Sequence, residues 1–384
     1  MEERGAFPGS AFAVETAIPV FIGYTEVAEW NGKSLLTIPT RIRSFHEYVE
    51  RFGGAFPSKF SFVDAVPTTQ QVTITVNGTP SVLKRNDKHT AYLFNSMRLF
   101  YANGGGACYI LAIGTYGDSS TGLEMKVEDF TGSVKKTDPF ELLKKESEPT
   151  LVVLPDAIAL GEACYTSIYT KVLEHCSITQ NRFGIFDLIR QEEGDSTAAI
   201  IDNFRDKIGN NALNYGAAYY PWLKATVVQS AEVSFENLDA TVDLEQILPE
   251  PAAVEMVRKF KTNTAPDVNS KANYHQALKA VSPTYSVLLE QILSRLNELP
   301  PSAAMAGLYA YVDSNQGVWK APANVVVNSV TAPTIHISNQ QQDNLNVNLS
   351  GKSINAIRSF PEKGALVWGA RTLDGNSQDW RYIN

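Results

Sequence analysis

The chain has 384 residues, 44% hydrophobic and 10% aromatic, with 33 Lys and Arg against 41 Asp and Glu, a formal net charge of −8. That length suits two or three domains of about 100–200 residues, and an acidic chain without a basic stripe gains nothing by displacing counterions, so nucleic-acid binding is not expected. No apolar run approaches the roughly 20 residues a bilayer requires, so membrane insertion is not expected, and the opening MEERGAFPGS lacks the apolar core of a secretory leader, which makes the cytoplasm the default place of synthesis.

Residues 17–25 are a mostly apolar run expected to form a buried strand. Ser44 and Glu47 have capping-box spacing, so a helix is expected over 45–51, stopped by Gly53 and Gly54. Residues 71–76 and 79–83 flank Asn77-Gly78, a pair that supplies the positive φ angles of a two-residue hairpin turn. A helix over 89–102, with Leu93, Met97 and Phe100 on one face, should end at Gly104-Gly105-Gly106, which reads as a helix stop and not a phosphate cradle. Strands are then predicted over 107–113, 150–154, 183–188 and 217–220, alternating with helices over 139–146, 160–175 and 197–208. Such alternation implies crossover units and a sheet covered on both faces.

Residues 225–275 break this rhythm with Glu, Asp, Pro and Asn, and are expected to be a surface excursion carrying one helix near 251–261. Helices over 283–298 and 302–313 follow, separated by Pro300-Pro301. After Lys320 the composition shifts to Val, Thr, Asn and Gln, so 321–350 reads as strands and polar turns, with a domain boundary near 318–322. The fold expected is mixed α+β: a larger α/β domain with helices on both faces of a mixed sheet, bearing a hairpin excursion at 64–86, and a smaller β-rich C-terminal module.

No constellation of residues completes an active site. Gly351-Lys352-Ser353 suggests a phosphate loop, but the glycine that motif needs five residues earlier is Asn346. His46, His89, His175, His275 and His336 have no partners at ligand spacing, whereas zinc needs three or four converging ligands. No Gly-x-Ser-x-Gly elbow supplies a hydrolase nucleophile. Cys108, Cys164 and Cys176 are scattered and odd in number, consistent with buried thiols in a reducing compartment. Asp156, after the strand over 150–154, sits where ligands bind in open α/β sheets and could be an acid or metal ligand. The reading we favour is that it caps the next helix or closes the turn. Tyr219, Tyr220, Pro221 and Trp222 could form a carbohydrate platform, but core or interface packing is favoured. No catalytic, cofactor-binding or metal-ligating residue is assigned, and no cofactor is expected. The residues alone favour a structural or interaction protein over an enzyme.

Two long segments carry a family resemblance: PPSAAMAGLYAYVDSNQGVWKAPAN at 300–324 and INAIRSFPEKGALVWGARTLDGNSQDWRYIN at 354–384. Shorter echoes are AIPVFIGYTE at 17–26, EPTLVVLPD at 148–156 and YYPWLK at 219–224. In order and spacing these resemble the contractile tail sheath proteins, which wrap the inner tube of contractile phage tails, R-type bacteriocins and phage-like injection particles. The resemblance implies a non-enzymatic structural subunit of a phage tail or phage-like particle. It would polymerise with itself or with sheath paralogues in stacked six-fold rings around an inner tube protein, meet baseplate and terminator proteins, and contract to drive the tube through a target envelope. The energy of contraction would lie in a bistable lattice. In that family, terminal arms link subunits by adding a strand to a neighbour's sheet. The family's opening T-P-G-V-Y-x-x-E run is missing here, and the family continues for about another hundred residues after W-R-Y-I-N. The expected division is therefore 1–16 as a remnant of the N-terminal arm, 17–320 as the α/β sheath domain with the excursion at 225–275, and 321–384 as a shortened C-terminal assembly domain whose end exposes Tyr382 and Ile383. The alternatives are a baseplate or terminator component of related core, or an α/β hydrolase or nucleotide-binding enzyme.

Overall fold

The computed structural model describes residues 16–65, 72–76, 78–118, 121–192, 194–263 and 266–383. At its centre is an eight-stranded sheet. In spatial order the strands are Gly364–Val367, Asn355–Phe360, Gly216–Tyr220, Phe183–Asp187, Leu151–Val153, Pro19–Thr25, Cys108–Thr115 and Thr40–Ile42. The inner strands run parallel, and the outermost strand at each edge is antiparallel. A parallel strand inside such a sheet is covered on both faces and so is apolar without interruption. Pro19–Thr25 is buried along its whole length. Its Val20, Ile22 and Tyr24 enter one core and Phe21 the opposite one.

The first core holds Phe140 of the helix Pro139–Leu143, Val172 and Leu173 of Thr170–Thr179, and Phe204 of Thr197–Lys207. The second lies between the sheet's other face and the helices Phe45–Phe52, Leu93–Ala102 and Ser302–Gln316. A third core is separate from both. It joins the small sheet of Phe60–Asp64, Thr79–Arg85 and Ile74–Val76 to the helices Pro251–Lys261, Val268–Val281 and Pro283–Leu296.

Most predicted elements lie where expected, and the departures have local causes. Ser44 accepts the Glu47 amide at 3.2 Å, but the Glu47 carboxylate accepts from Arg43 N, one residue before the expected partner. In the hairpin, Val76 pairs with Thr79 and Gly78 has φ +83°, while Asn77 and Gln71 lie outside the described residues. In place of a helix over 160–175, the chain makes a 3-10 turn, Ala157–Leu160, then a π-helical stretch, Cys164–Tyr169, and then the α-helix Thr170–Thr179.

Two corrections are larger. Residues 225–275 are not a polar loop with a single helix. The short helix Leu244–Ile247 and the long helix Val268–Val281 accompany Pro251–Lys261. Their apolar residues are few but fall one turn apart, as in Ala253 with Val257 and Tyr274 with Leu278, and all four enter the third core. Likewise 321–350 contains the helix Asn339–Asn346, opened by a Ser338–Gln341 capping box and buried through Gln342 and Leu345. The strand-rich C-terminal stretch does not form a separate layer, because Asn355–Phe360 lies parallel to Gly216–Tyr220 and prolongs the main sheet. The arm expected at 1–16 lies, apart from Thr16, outside the described residues.

Candidate functional site

The segment 300–324 owes its composition to close packing. Ala303, Ala304 and Ala306 are fully buried against the sheet, where larger side chains would hold the helix Ser302–Gln316 away. Gly307 faces the helix Leu93–Ala102, and a Cβ there would lie 2.5 Å from the Phe100 carbonyl oxygen. The Tyr309 hydroxyl meets that of Tyr219, on the sheet, at 2.7 Å.

Two buried carboxylates fasten this layer. Asp187, at the end of its strand, accepts from Ser302 N at 2.7 Å and from Ser302 Oγ at 2.5 Å, which caps the helix from outside its own sequence. Asp156 accepts from Tyr92 N at 2.6 Å and Leu93 N at 3.0 Å, at the start of the helix Leu93–Ala102, and from Tyr24 N at 2.9 Å. Any side chain at Gly23 would meet that carboxylate at 2.4 Å, which accounts for the glycine in FIGYTE. Asp156 thus caps a helix, but not the next one in the chain. Burial pushes its carboxyl up to about 6 and that of Asp187 to about 7, against the pull of the donors just named. Both carboxylates are enclosed and committed to amide or hydroxyl donors, which makes them anchors of the fold and not acids open to a ligand. Sequence reasoning missed Asp187. Its signal was the same as that of Asp156, an Asp closing an apolar strand in FGIFD.

The other candidates disperse. Lys352 is buried and its Nζ donates to the Arg205 carbonyl, while Arg205 Nε donates to the Lys352 carbonyl at 3.0 Å. A lysine turned inward in this way cannot reach a phosphate. Burial, with Arg182 beside it, lowers His175 to about 4, and its Nε2 lies 2.6 Å from Arg182 Nη1. His275 Nδ1 meets the Tyr285 hydroxyl at 2.8 Å, His46 lies 3.3 Å from Glu50, His89 packs by Phe56 and His336 is exposed. Cys108, Cys164 and Cys176 are buried and unpaired, and burial raises all three thiols. Among the described residues no three His, Cys, Asp or Glu side chains converge on a metal position. Tyr219, Tyr220 and Trp222 are core residues, and Trp222 Nε1 donates to Leu188 O at 2.7 Å.

The second family-like segment knits the sheet edge. Asn355 Nδ2 donates to Ala218 O at 3.2 Å and to Arg371 O at 2.7 Å, and its Oδ1 accepts from Arg371 N at 2.7 Å. Asn324 N and Val327 N donate to Val367 O and Ala365 O, so the chain covers its own outer strand. Ile383 is buried and donates to Ala370 O, contrary to the exposure expected of it, whereas Tyr382 is exposed as expected. Trp319 is 81% exposed and Trp380 63%, too much for either to serve the core.

The family model described as phage tail sheath protein, central domain, matches residues 155–373. No curated protein sequence matches. Among solved structures, a chain of the anti-feeding prophage baseplate in the contracted state aligns with TM-score 0.59 at 20% identity, covering 100% of this chain and 71% of that one. A chain of the six-fold symmetrised anti-feeding prophage baseplate aligns with TM-score 0.51 at 23% identity, covering 100% and 69%. A chain of the PVC sheath complex of an extracellular contractile injection system, in the contracted state, aligns with TM-score 0.50 at 24% identity, covering 98% and 69%. At these identities the likeness is one of fold.

Proposed function

The chain belongs to the phage tail sheath protein family, and from that premise we propose that it is a sheath subunit that polymerises in stacked six-fold rings around an inner tube and shortens to drive the tube forward. The observation that carries this reading is the extent of the family match. It runs from the end of the strand Leu151–Val153, through the helix Ser302–Gln316, to the C-terminal edge of the main sheet. Subunits of this kind do mechanical work: two packings of one lattice differ in free energy, and a trigger releases the difference. In this proposal the strand-rich stretch 321–384 supplies contacts between subunits, with Trp380 and Tyr382 at its surface and Trp319 exposed just before it. The body formed by 17–320 carries the excursion with the third core.

Electron microscopy of the purified full-length chain tests it. Tubes with six-fold symmetry are expected, with a second helical rise after a contraction trigger. A particle that stays dispersed at every concentration, even with tube and baseplate proteins supplied, overturns the reading. Tubes with a single lattice under all conditions overturn the contractile part alone. A second reading, a baseplate component, draws on the two anti-feeding prophage baseplate likenesses. It predicts closed rings that stop at one or two layers and bind one end of a tube.

A further inference from the structure

A cleft of about 270 Å³ opens between the hairpin strand Thr79–Arg85 and the turns that follow Phe183–Asp187 and Gly216–Tyr220. It lies outside the carboxyl ends of parallel strands, the place where open α/β sheets receive ligands. Three guanidinium groups, Arg85, Arg190 and Arg295, share its walls with Glu298. Arg190 Nη1 lies 2.6 Å from Glu298 Oε2, and Arg295 Nη1 lies 3.4 Å from Glu298 Oε1. The Glu298 side chain is 12% exposed, whereas Glu192, the other partner of Arg190, is 58% exposed and sits at the lip. Asp64, Lys84 and Asp87 are exposed rim residues. Among the described lining residues Arg190 and Arg295 are thus paired with carboxylates, and the rim sets one lysine against two aspartates.

Arg85 is the unbalanced member. Its Nη2 donates to Arg295 O at 2.5 Å, and its guanidinium lies 5.6 Å from the Phe60 ring centroid and 5.4 Å from that of Tyr92. Among the described residues it has no carboxylate at ion-pairing distance. A guanidinium carries five N–H donors in a fixed fork, and the rings hold this one in place with most of the fork unspent. Burial lowers its pKa, opposed by Tyr92 and Glu298 and reinforced by Arg190 and Arg295. An anion in the cleft would engage the N–H donors of the Arg85 fork that remain beside its bond to Arg295 O.

We propose that the cleft binds a carboxylate or phosphate group, with Arg85 as its anchor and Arg190 and Arg295 beside it. The group could arrive as a free small anion or on an acidic segment of another polypeptide, and the test separates these sources. Isothermal titration at low ionic strength would use the dispersed full chain with glutarate, with inorganic phosphate and with an end-blocked acidic peptide. One-to-one saturation is expected with at least one probe, weakened roughly tenfold or more in Arg85→Gln and less in Arg85→Lys, because a paired guanidinium makes charge-assisted bonds that an ammonium only partly replaces. Tighter binding of the peptide than of glutarate and phosphate assigns a polypeptide source, and the reverse order assigns a free anion. Binding by none of the three, or undiminished binding by Arg85→Gln, overturns the proposal. Circular dichroism checks the fold of each variant, and Arg190→Gln takes the place of Arg85→Gln should the latter fail to fold. Binding is read on single subunits, so its outcome is independent of whether the chain builds tubes.

Discussion

At residue scale, the most constrained positions are those where two helices reach the sheet. Gly307 allows the helix Ser302–Gln316 to touch the backbone of Leu93–Ala102, since a Cβ would approach Phe100 O to 2.5 Å and Asn103 Cβ to 3.0 Å. Gly307→Ala should cost about 1–3 kcal/mol in urea unfolding, as overpacking does. An unchanged midpoint would mean the helices can part without penalty. Asp156 and Asp187 make a second, pH-dependent prediction. Their folded-state values of about 6 and about 7 exceed the ordinary 3.8, so between these limits the native state holds more protons than the unfolded chain. Their contribution to stability is therefore fullest at low pH and declines as pH rises through 6 and 7. Asp187→Asn keeps an acceptor for the Ser302 amide but cannot ionise. Its urea midpoint should fall less steeply than the wild type's between pH 4.5 and 8. Identical slopes for the two proteins would remove Asp187 as the titrating group.

At the scale of elements, the excursion behaves as a small body with its own interior. Ile292, Leu288 and Tyr285 are fully buried there, away from both faces of the main sheet. Ile292→Ala should cost about 2–5 kcal/mol within that unit. Hydrogen exchange should then accelerate in Pro251–Lys261, Val268–Val281 and Pro283–Leu296 while Pro19–Thr25 and Phe183–Asp187 keep their protection. Uniform acceleration across all of these would show one cooperative unit instead. Within this body the helix Val268–Val281 was hard to read from the sequence because Asn269, Ser270, Asn273 and Gln276 give it a polar composition that suggested a loop. Asn339–Asn346 was missed for a local reason: Asn and Asp are weak helix formers, and capping by Ser338 with burial of Leu345 outweighs that.

For the whole molecule, the exposed aromatic side chains bear on assembly and not on folding. Trp319 is 81% exposed, so Trp319→Ala removes little buried surface and should leave the melting temperature unchanged. Tryptophan is prominent among the residues that dominate interfaces, so the same variant should form fewer or shorter tubes under electron microscopy. Normal tubes would place the contacts elsewhere. Because the proposed work is mechanical, contraction should proceed without ATP or GTP hydrolysis, and divalent metals should give no saturable rise in melting temperature, whereas a ligand that favours the native state must raise it.

Much was legible in the sequence. Uninterrupted apolar runs such as PVFIGYT and LVVL read as buried strands, and the helical patterns between them imply a sheet covered on both faces. A helix over 302–313 was expected, and Asn346, where a phosphate loop needs glycine, argued against that loop. Tertiary structure decided what local pattern cannot encode. It brought Asp187 to Ser302 across 115 residues and Asp156 to Leu93 across 63. It also turned Lys352 inward to Arg205, 147 residues away, and gathered Arg85, Arg190 and Arg295 around one cleft. Periodicity reports which face of an element is buried. Which distant group will meet a given carboxylate or guanidinium depends on strand order, and strand order is a property of the folded chain alone.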